Sequence, residues 1–388
     1  MPTYNKTEVL LIDKAFIAAY KTCTDAWVLD YSQNLPHVHI TFKTLMTILA
    51  AVACIINSII ALFLISGHLC YWVNPLEQKQ IVRILLWVPF YSICAFFSIY
   101  FYEAQGYVAA LAQWYEGFSI TALFLLYVHY VVPRQENRAN FFHRLERRWM
   151  NGKKKGDGGS LRWFRVIWIM VFQITIVRIL TVVAYDFLYG FTCPLSWARQ
   201  RGATIIKVFQ STSTGFAVFG VVLFETRVRS QLQEQHTLLK LVSFKGVVAL
   251  EGLQDIIFPV LADTSVYLPK PPFYVSWNDF AKRIPQFILV WEILIVAIVF
   301  IRSMTFEPYR QAVQRGVPLA ATPESALIDS INPMDIYRGV KYMFTAFTSS
   351  TYMEGNRAIV PYDEGRGPEM DTRMESGGIK TTREARLS

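Results

Sequence analysis

Charge is what this sequence has least of. Only 17% of its 388 residues are Asp, Glu, Lys or Arg, while 53% are hydrophobic and 15% aromatic, and the mean hydropathy is +0.30. A soluble domain is about one quarter charged, so the expected solvent is the bilayer. Metal-binding clusters are also missing. His37 and His39 lie close together with no third ligand nearby and read as solvated loop residues, so no metal site is expected. There is neither a glycine-rich phosphate loop nor a nucleophile elbow. Nothing therefore points to an enzyme, a cofactor or a nucleic-acid partner. Residues 1–43 are too polar for a signal peptide, so the first apolar run is expected to direct insertion itself.

Cysteine is sparse, and the five sort by depth. Cys54 and Cys94 fall mid-helix and read as packing residues, and Cys70 sits at a membrane boundary. Cys23 and Cys193 both fall on the outer side, where they form a candidate disulfide.

What the chain does have is length of apolar sequence. A helix needs about 20 residues to cross a core of about 30 Å. Seven runs qualify: 44–66, 84–102, 107–132, 163–189, 204–225, 238–261 and 280–301. The fold class read from this is an all-α membrane protein, a seven-transmembrane-helix bundle over 44–302. An outer tail, 1–43, precedes it, and a largely disordered cytoplasmic tail, 303–388, follows. Orientation comes from basic residues, nine of which lie between Arg134 and Arg162, whereas the turn between the second and third runs has none. The basic loop is then cytoplasmic, the N-terminus outside or lumenal, and the C-terminus cytoplasmic. The only Asn-x-Ser/Thr triplet, Asn5-Lys6-Thr7, falls in the outer tail. The basic loop's start, "FFHRLERRWM", reads either as a helix on an anionic leaflet or as the orientation signal alone.

Polar residues inside the runs are the candidate functional groups, because ionisable side chains at membrane depth usually face the interior or a hydrated cavity. The fifth run carries Lys207, Gln210, Ser211 and Thr214 at i, i+3, i+4 and i+7. The fourth has Thr175, Arg178 and Thr181 on one face. The sixth has Lys245, Glu251, Gln254 and Asp255, and the seventh Glu292 about midway, with Pro285 expected to loosen it. Two readings stay open: Arg178 and Lys207 pair with Glu251, Asp255 or Glu292 as structural glue, or these stripes line a solute path. A receptor reading finds no acid-arginine-aromatic triplet after the third run and no Asn-Pro-x-x-Tyr in the seventh. Lys282 lies at the seventh run's outer end, which removes a mid-membrane Schiff base.

In the tail, "SINPMDIYRGVKYMFTAF" spaces Ile336, Val340 and Phe344 by fours and predicts a short amphipathic helix near 332–347. It also holds Asp335, Tyr337 and Val340, an acid before an aromatic-x-x-aliphatic pattern. That resembles the motif bound by autophagy ubiquitin-like modifiers; docking of this segment on the bundle's inner face is the other reading.

The stretches "HLCYWVNPLEQKQIVRILLWVPFYS", "WYEGFSITALFLLY" and "LVSFKGVVALEGLQDIIF" together resemble the organic solute transporter alpha family, which includes the transmembrane protein 184 group and fungal and plant relatives. The likeness runs through about residues 45–300. Its most ordered part is Pro75-x-Glu77-Gln78-Lys79-x-x-x-Arg83, ending at Pro89-x-Tyr91, and its polar position in the third run is Glu116. The resemblance implies transport of amphipathic organic anions or lipid-like solutes by facilitated diffusion, with a small single-span beta partner. It also implies an endomembrane or vacuolar site, with the plasma membrane as the alternative. Trp114 and Leu253 depart from the family's commoner residues, and the cysteine cluster of the animal subunit is absent, which suggests a broader, fungal- or plant-like member. The mouth residues Glu77, Gln78, Lys79 and Arg83 read either as an anchored turn meeting lipid phosphate or an inner-loop carboxylate, or as a cytoplasmic gate. An oligomer is compatible with all of this.

Overall fold

The computed structural model describes residues 33–348, apart from 37–38, 102–103, 134–136, 146, 149–153, 157–159, 193–195, 233–245, 247–249, 251, 255–256, 259–260, 262–273 and 277–278. Cys23 and Cys193, and with them the candidate disulfide, lie outside the described residues. So does the sequence beyond 348.

Helix α1, Phe42–Cys70, starts at Thr41, whose Oγ1 accepts from the Thr44 amide at 3.3 Å and satisfies one open N-terminal donor. Helix α2, Pro75–Tyr100, begins nine residues ahead of the apolar window at 84, because its first turns are buried against protein. Gln78, Gln80 and Arg83 are at most 1% exposed there. Pro75 suits the first helical turn, and Glu77 complements the positive end of the dipole. Then come α3, Gln105–Val131; a short α4, Arg138–Arg144; and an antiparallel ribbon of β1, Arg147–Arg148, with β2, Lys154–Gly156. Helix α5 spans Leu161–Phe191, and α6 spans Trp197–Leu232 with a bend at Val228. Helix α7, Ile284–Ser303, is entered through a π turn, Asp279–Arg283. Pro285 stands in the first α turn of α7 and so does not loosen its middle.

Among the described residues six spans are long and apolar enough to cross a membrane: those of α1, α2, α3, α5, α6 and α7. The run at 238–261 lies largely outside the described residues; within it Gly246, Leu250, 252–254, 257–258 and Leu261 are helical. Helices α2 and α3 form the middle of the bundle, with 67% and 61% of their apolar windows buried against 33–39% for the others. Helices α1 and α7 pack on one flank of this pair, and α5 and α6 on the other. Asn57 ties the first flank at depth, its Nδ2 donating to Ser92 Oγ at 2.9 Å and to the Val290 carbonyl at 3.1 Å. Outward on α1 stand Ile48, Val52, Ile55, Ile59 and Leu62, exposed at steps of three and four. Such a stripe is stable only against lipid.

Where the sequence reading places one short helix near 332–347, the chain after α7 forms three: α8, Glu307–Gln314; α9, Pro323–Ile331; and α10, Met334–Thr348. They pack across one end of the bundle, the tail end. There α9 lies on α1 and α2, and α10 on α5.

Candidate solute site between the transmembrane helices

At the end of the bundle opposite the tail, the helices enclose a cavity of about 220 Å³. Each lining helix offers one stripe: Tyr91, Cys94, Ala95 and Ser98 on α2; Gln105, Ala109, Ala112 and Gln113 on α3; Lys282, Pro285, Gln286 and Leu289 before and along α7. Tyr185 and Tyr189 of α5, Lys207 of α6 and Gln254 complete it. Among the described lining residues there are two lysines and no carboxylate, with amide and phenol groups that can both donate and accept.

One turn deeper, polar groups continue along α3, α5 and α6. Arg178 donates through Nη2 to Glu116 Oε2 at 2.7 Å and to Thr214 Oγ1 at 2.9 Å, with all three residues buried. Gly117 makes this approach feasible, since a Cβ there would stand 2.7 Å from Arg178 Cγ. Gln210 donates to Thr181 Oγ1 at 2.9 Å. Towards the tail end follow Thr121 with Thr175 at 3.1 Å, and Gln173, which exchanges bonds with the Ser213 carbonyl and hydroxyl at 2.9 and 2.7 Å.

The expected pairing of Arg178 with the sixth or seventh run is thus replaced by Glu116 of α3, which packs directly on α5. Lys207 is half-buried at the cavity wall, and Ser211 is exposed on the outer face of α6. Gln254 donates to Glu292 Oε1 at 2.7 Å, so these two read as a pair beside the cavity. Lys245, Glu251 and Asp255 lie outside the described residues.

The mouth residues meet the chain's own tail. Gln78 staples the α1–α2 turn: its Oε1 accepts from the amides of Val73 and Asn74 at 2.7 and 2.8 Å, and its Nε2 donates to the carbonyls of His68 and Tyr71 at 3.1 and 2.8 Å. Glu77 accepts from the Tyr309 hydroxyl at 3.1 Å, and Lys79 reaches Asp329 at 3.5 Å. Arg83 is spent wholly on the tail end. It donates to both carboxylate oxygens of Asp335 at 2.8 Å each, to the carbonyls of Ser330 and Asn332, and to Gln80. Neither lipid phosphate nor an inner-loop carboxylate is its partner, because α9 ends where Arg83 points and leaves carbonyls open there. Burial alone would raise the Asp335 carboxyl; hydrogen bonds and charge from Arg83, with Lys79 and Gln80, outweigh it and hold the group at about 2. Tyr337 is 63% exposed on the outer face of α10, while Val340 packs against the core.

The sequence profile of the organic solute transporter Ostalpha family matches residues 46–309, from α1 into α8. The chain belongs to that family. Among curated proteins this Ostalpha-family chain is similar to Protein LAZ1 of Arabidopsis thaliana, at 23% identity over 64% of this chain and 55% of LAZ1. It is likewise similar to Protein LAZ1 homolog 1 of the same plant, at 23% identity over 72% of this chain and 61% of the relative. The chain spans somewhat over half the length of these relatives. No solved structure matches it. The protein is a multi-pass integral membrane protein of a solute-transporter family.

Several buried groups of this Ostalpha-family bundle escaped sequence reasoning. Asp279 and Arg283 form a fully buried ion pair at 2.6 Å, capped by Ser276, where the chain enters α7. Their i, i+4 spacing beside an apolar run was the available signal. Gln80, bonded to Asp335 at 2.7 Å, gave none. Arg138 reaches His129 Nδ1 at 2.9 Å, again between neighbours that only packing reveals.

Proposed function

We propose that the chain moves an amphipathic organic anion or lipid-like solute across an endomembrane, entering through this polar cavity and continuing along the polar column of α3, α5 and α6. The observation that carries this reading is the cavity itself: Lys207 and Lys282 share a pocket in which no described residue supplies a carboxylate. Such a wall offers ammonium, amide and phenol donors that can hydrogen-bond a polar head group. At about 220 Å³ the space falls below the roughly 300–1,000 Å³ typical of drug-sized ligands, so as it stands it receives a head group or a small solute.

In this proposal the bundle has seven helices, with the 238–261 run as the sixth. The tail end, which carries the basic loop, faces the cytoplasm. The vacuolar membrane is the first expectation and the plasma membrane the second. A single-span beta-type partner, a second copy of the chain and a tail-binding protein are partners to be tested by co-purification.

The deciding experiment is flux of a labelled steroid sulfate into liposomes holding the purified chain. Saturable uptake that Lys207→Ala with Lys282→Ala cuts at least tenfold supports the cavity as the entry; uptake unaffected by the double change removes it. A second reading, a scaffold recruiting an autophagy-type ubiquitin-like partner, draws on one observation, the exposure of Tyr337 beside Met334 and Phe344 on the outer face of α10. Against it, Asp335 is already held by Arg83. Tyr337→Ala abolishes recruitment under the scaffold reading and leaves flux unchanged under the transport reading.

A further inference from the structure

We propose that α9 and α10 form a lid over the tail-end exit of the polar column, latched by Arg83 and Asp335. This rests on the transport reading for its purpose, and it names the regulation of that same route. Followed from the cavity towards the tail, the column stays polar past Glu116–Arg178 and Thr121–Thr175, then ends in aromatic rings. Phe124, Trp168, Phe172 and Phe224 are all at most 2% exposed; Trp168 stacks on Phe172 at 4.4 Å, and Phe124 meets Phe224 at 5.3 Å.

Helix α10 completes this seal. The Trp168 Nε1 donates to the Gly339 carbonyl at 3.0 Å, and the Tyr342 ring stands edge-on to Trp168 at 5.5 Å. Gly339 lies so close that a Cβ would come 2.0 Å from Phe172. A polar head group cannot pass while α10 is seated. Five of the hydrogen bonds that seat it converge on or beside one guanidinium: Arg83 binds Ser330, Asn332 and both oxygens of Asp335, all at the elbow between α9 and α10, and Gln80 joins it on Asp335. The same turn of α3 touches latch and column. Tyr115 donates to the Arg83 carbonyl at 3.1 Å and Phe118 lies under its guanidinium at 5.5 Å, while Glu116 between them holds Arg178.

The test uses the full chain in liposomes. Asp335→Asn weakens the latch, and Gly339→Ala pushes α10 off Phe172 without touching the ion pairs. Thr175→Cys, on the column side of the aromatic seal, reports opening to an impermeant maleimide offered from the tail side and read by mass spectrometry on the peptide carrying it. Labelling is expected at least tenfold faster in either lid variant than in the parent. Equal rates overturn the lid, whatever the chain transports. Steroid-sulfate flux is expected to rise several-fold in the same variants; faster labelling with unchanged flux overturns its role as a gate. If the parent carries no flux but labelling still depends on the latch, the lid stands and the transport reading fails. Should both variants unfold, a reducible cross-link between Lys79→Cys and Asp329→Cys is expected to lower flux and labelling until reduced. Indifference to that cross-link overturns the proposal as well.

Discussion

Glu116 and Arg178, 62 positions apart in the chain, meet at 2.7 Å between α3 and α5 with almost no exposure to solvent. Removing one partner strands a charge at membrane depth. Glu116→Gln or Arg178→Met is therefore expected to lower stability by about 3–5 kcal/mol. Replacing both by apolar residues should recover much of that. Thermal unfolding in detergent checks it; a double variant no better than the worse single would sink the coupling.

Gln78 makes four hydrogen bonds within one turn of chain. Gln78→Leu keeps the volume and leaves buried amides and carbonyls unmet, at about 1–3 kcal/mol for each group that water cannot reach. Membrane abundance and unfolding temperature should both fall, while Gln78→Glu, which keeps the acceptor, should do less harm. Equal loss in the two variants would argue against the amide-accepting role.

The Asp335 carboxyl is held at about 2 against an ordinary 3.8. A depressed acid stabilises the docked tail above its unfolded value, and that stabilisation disappears as pH falls through the folded one. Docking of α10 is thus expected to be constant near neutrality and to weaken between about pH 4 and pH 2. Hydrogen exchange over 334–348 reads this directly. The acid dependence should vanish in Asp335→Asn.

Two neighbours on α6 separate the column from the lipid face. Gln210 is buried and bonded to Thr181, whereas Ser211 is exposed. Gln210→Leu is expected to lower steroid-sulfate flux several-fold, with Ser211→Ala within error of the parent. Reversed effects would move the path to the other side of α6.

The Ser211 result also marks how far periodicity reaches. Spacing grouped Lys207, Gln210, Ser211 and Thr214, yet each residue turns the helix by about 100°. The buried face centres on Gln210, Thr214 and Ala217, which leaves Lys207 at its edge and Ser211 outside it. Periodicity gives a stripe's existence, and the neighbouring helix sets its centre. The start of α2 was hidden for a related reason, since its polar turns are buried by α9 and α10, far along the chain.

By itself the sequence determined the solvent and, apart from the start of α2, the placing of the six described membrane spans, because hydropathy and local spacing need no knowledge of neighbours. Of the candidate path residues, Arg178, Lys207, Gln210, Thr214 and Glu292 stand on described spans. Which of them meet was decided only by the tertiary structure. Arg178 found Glu116, and Arg83 found Asp335 across 252 positions, because α3 packs on α5 and the tail folds back under α2. A charge buried in low dielectric takes the opposite charge that packing brings within reach, and sequence distance plays no part in that choice.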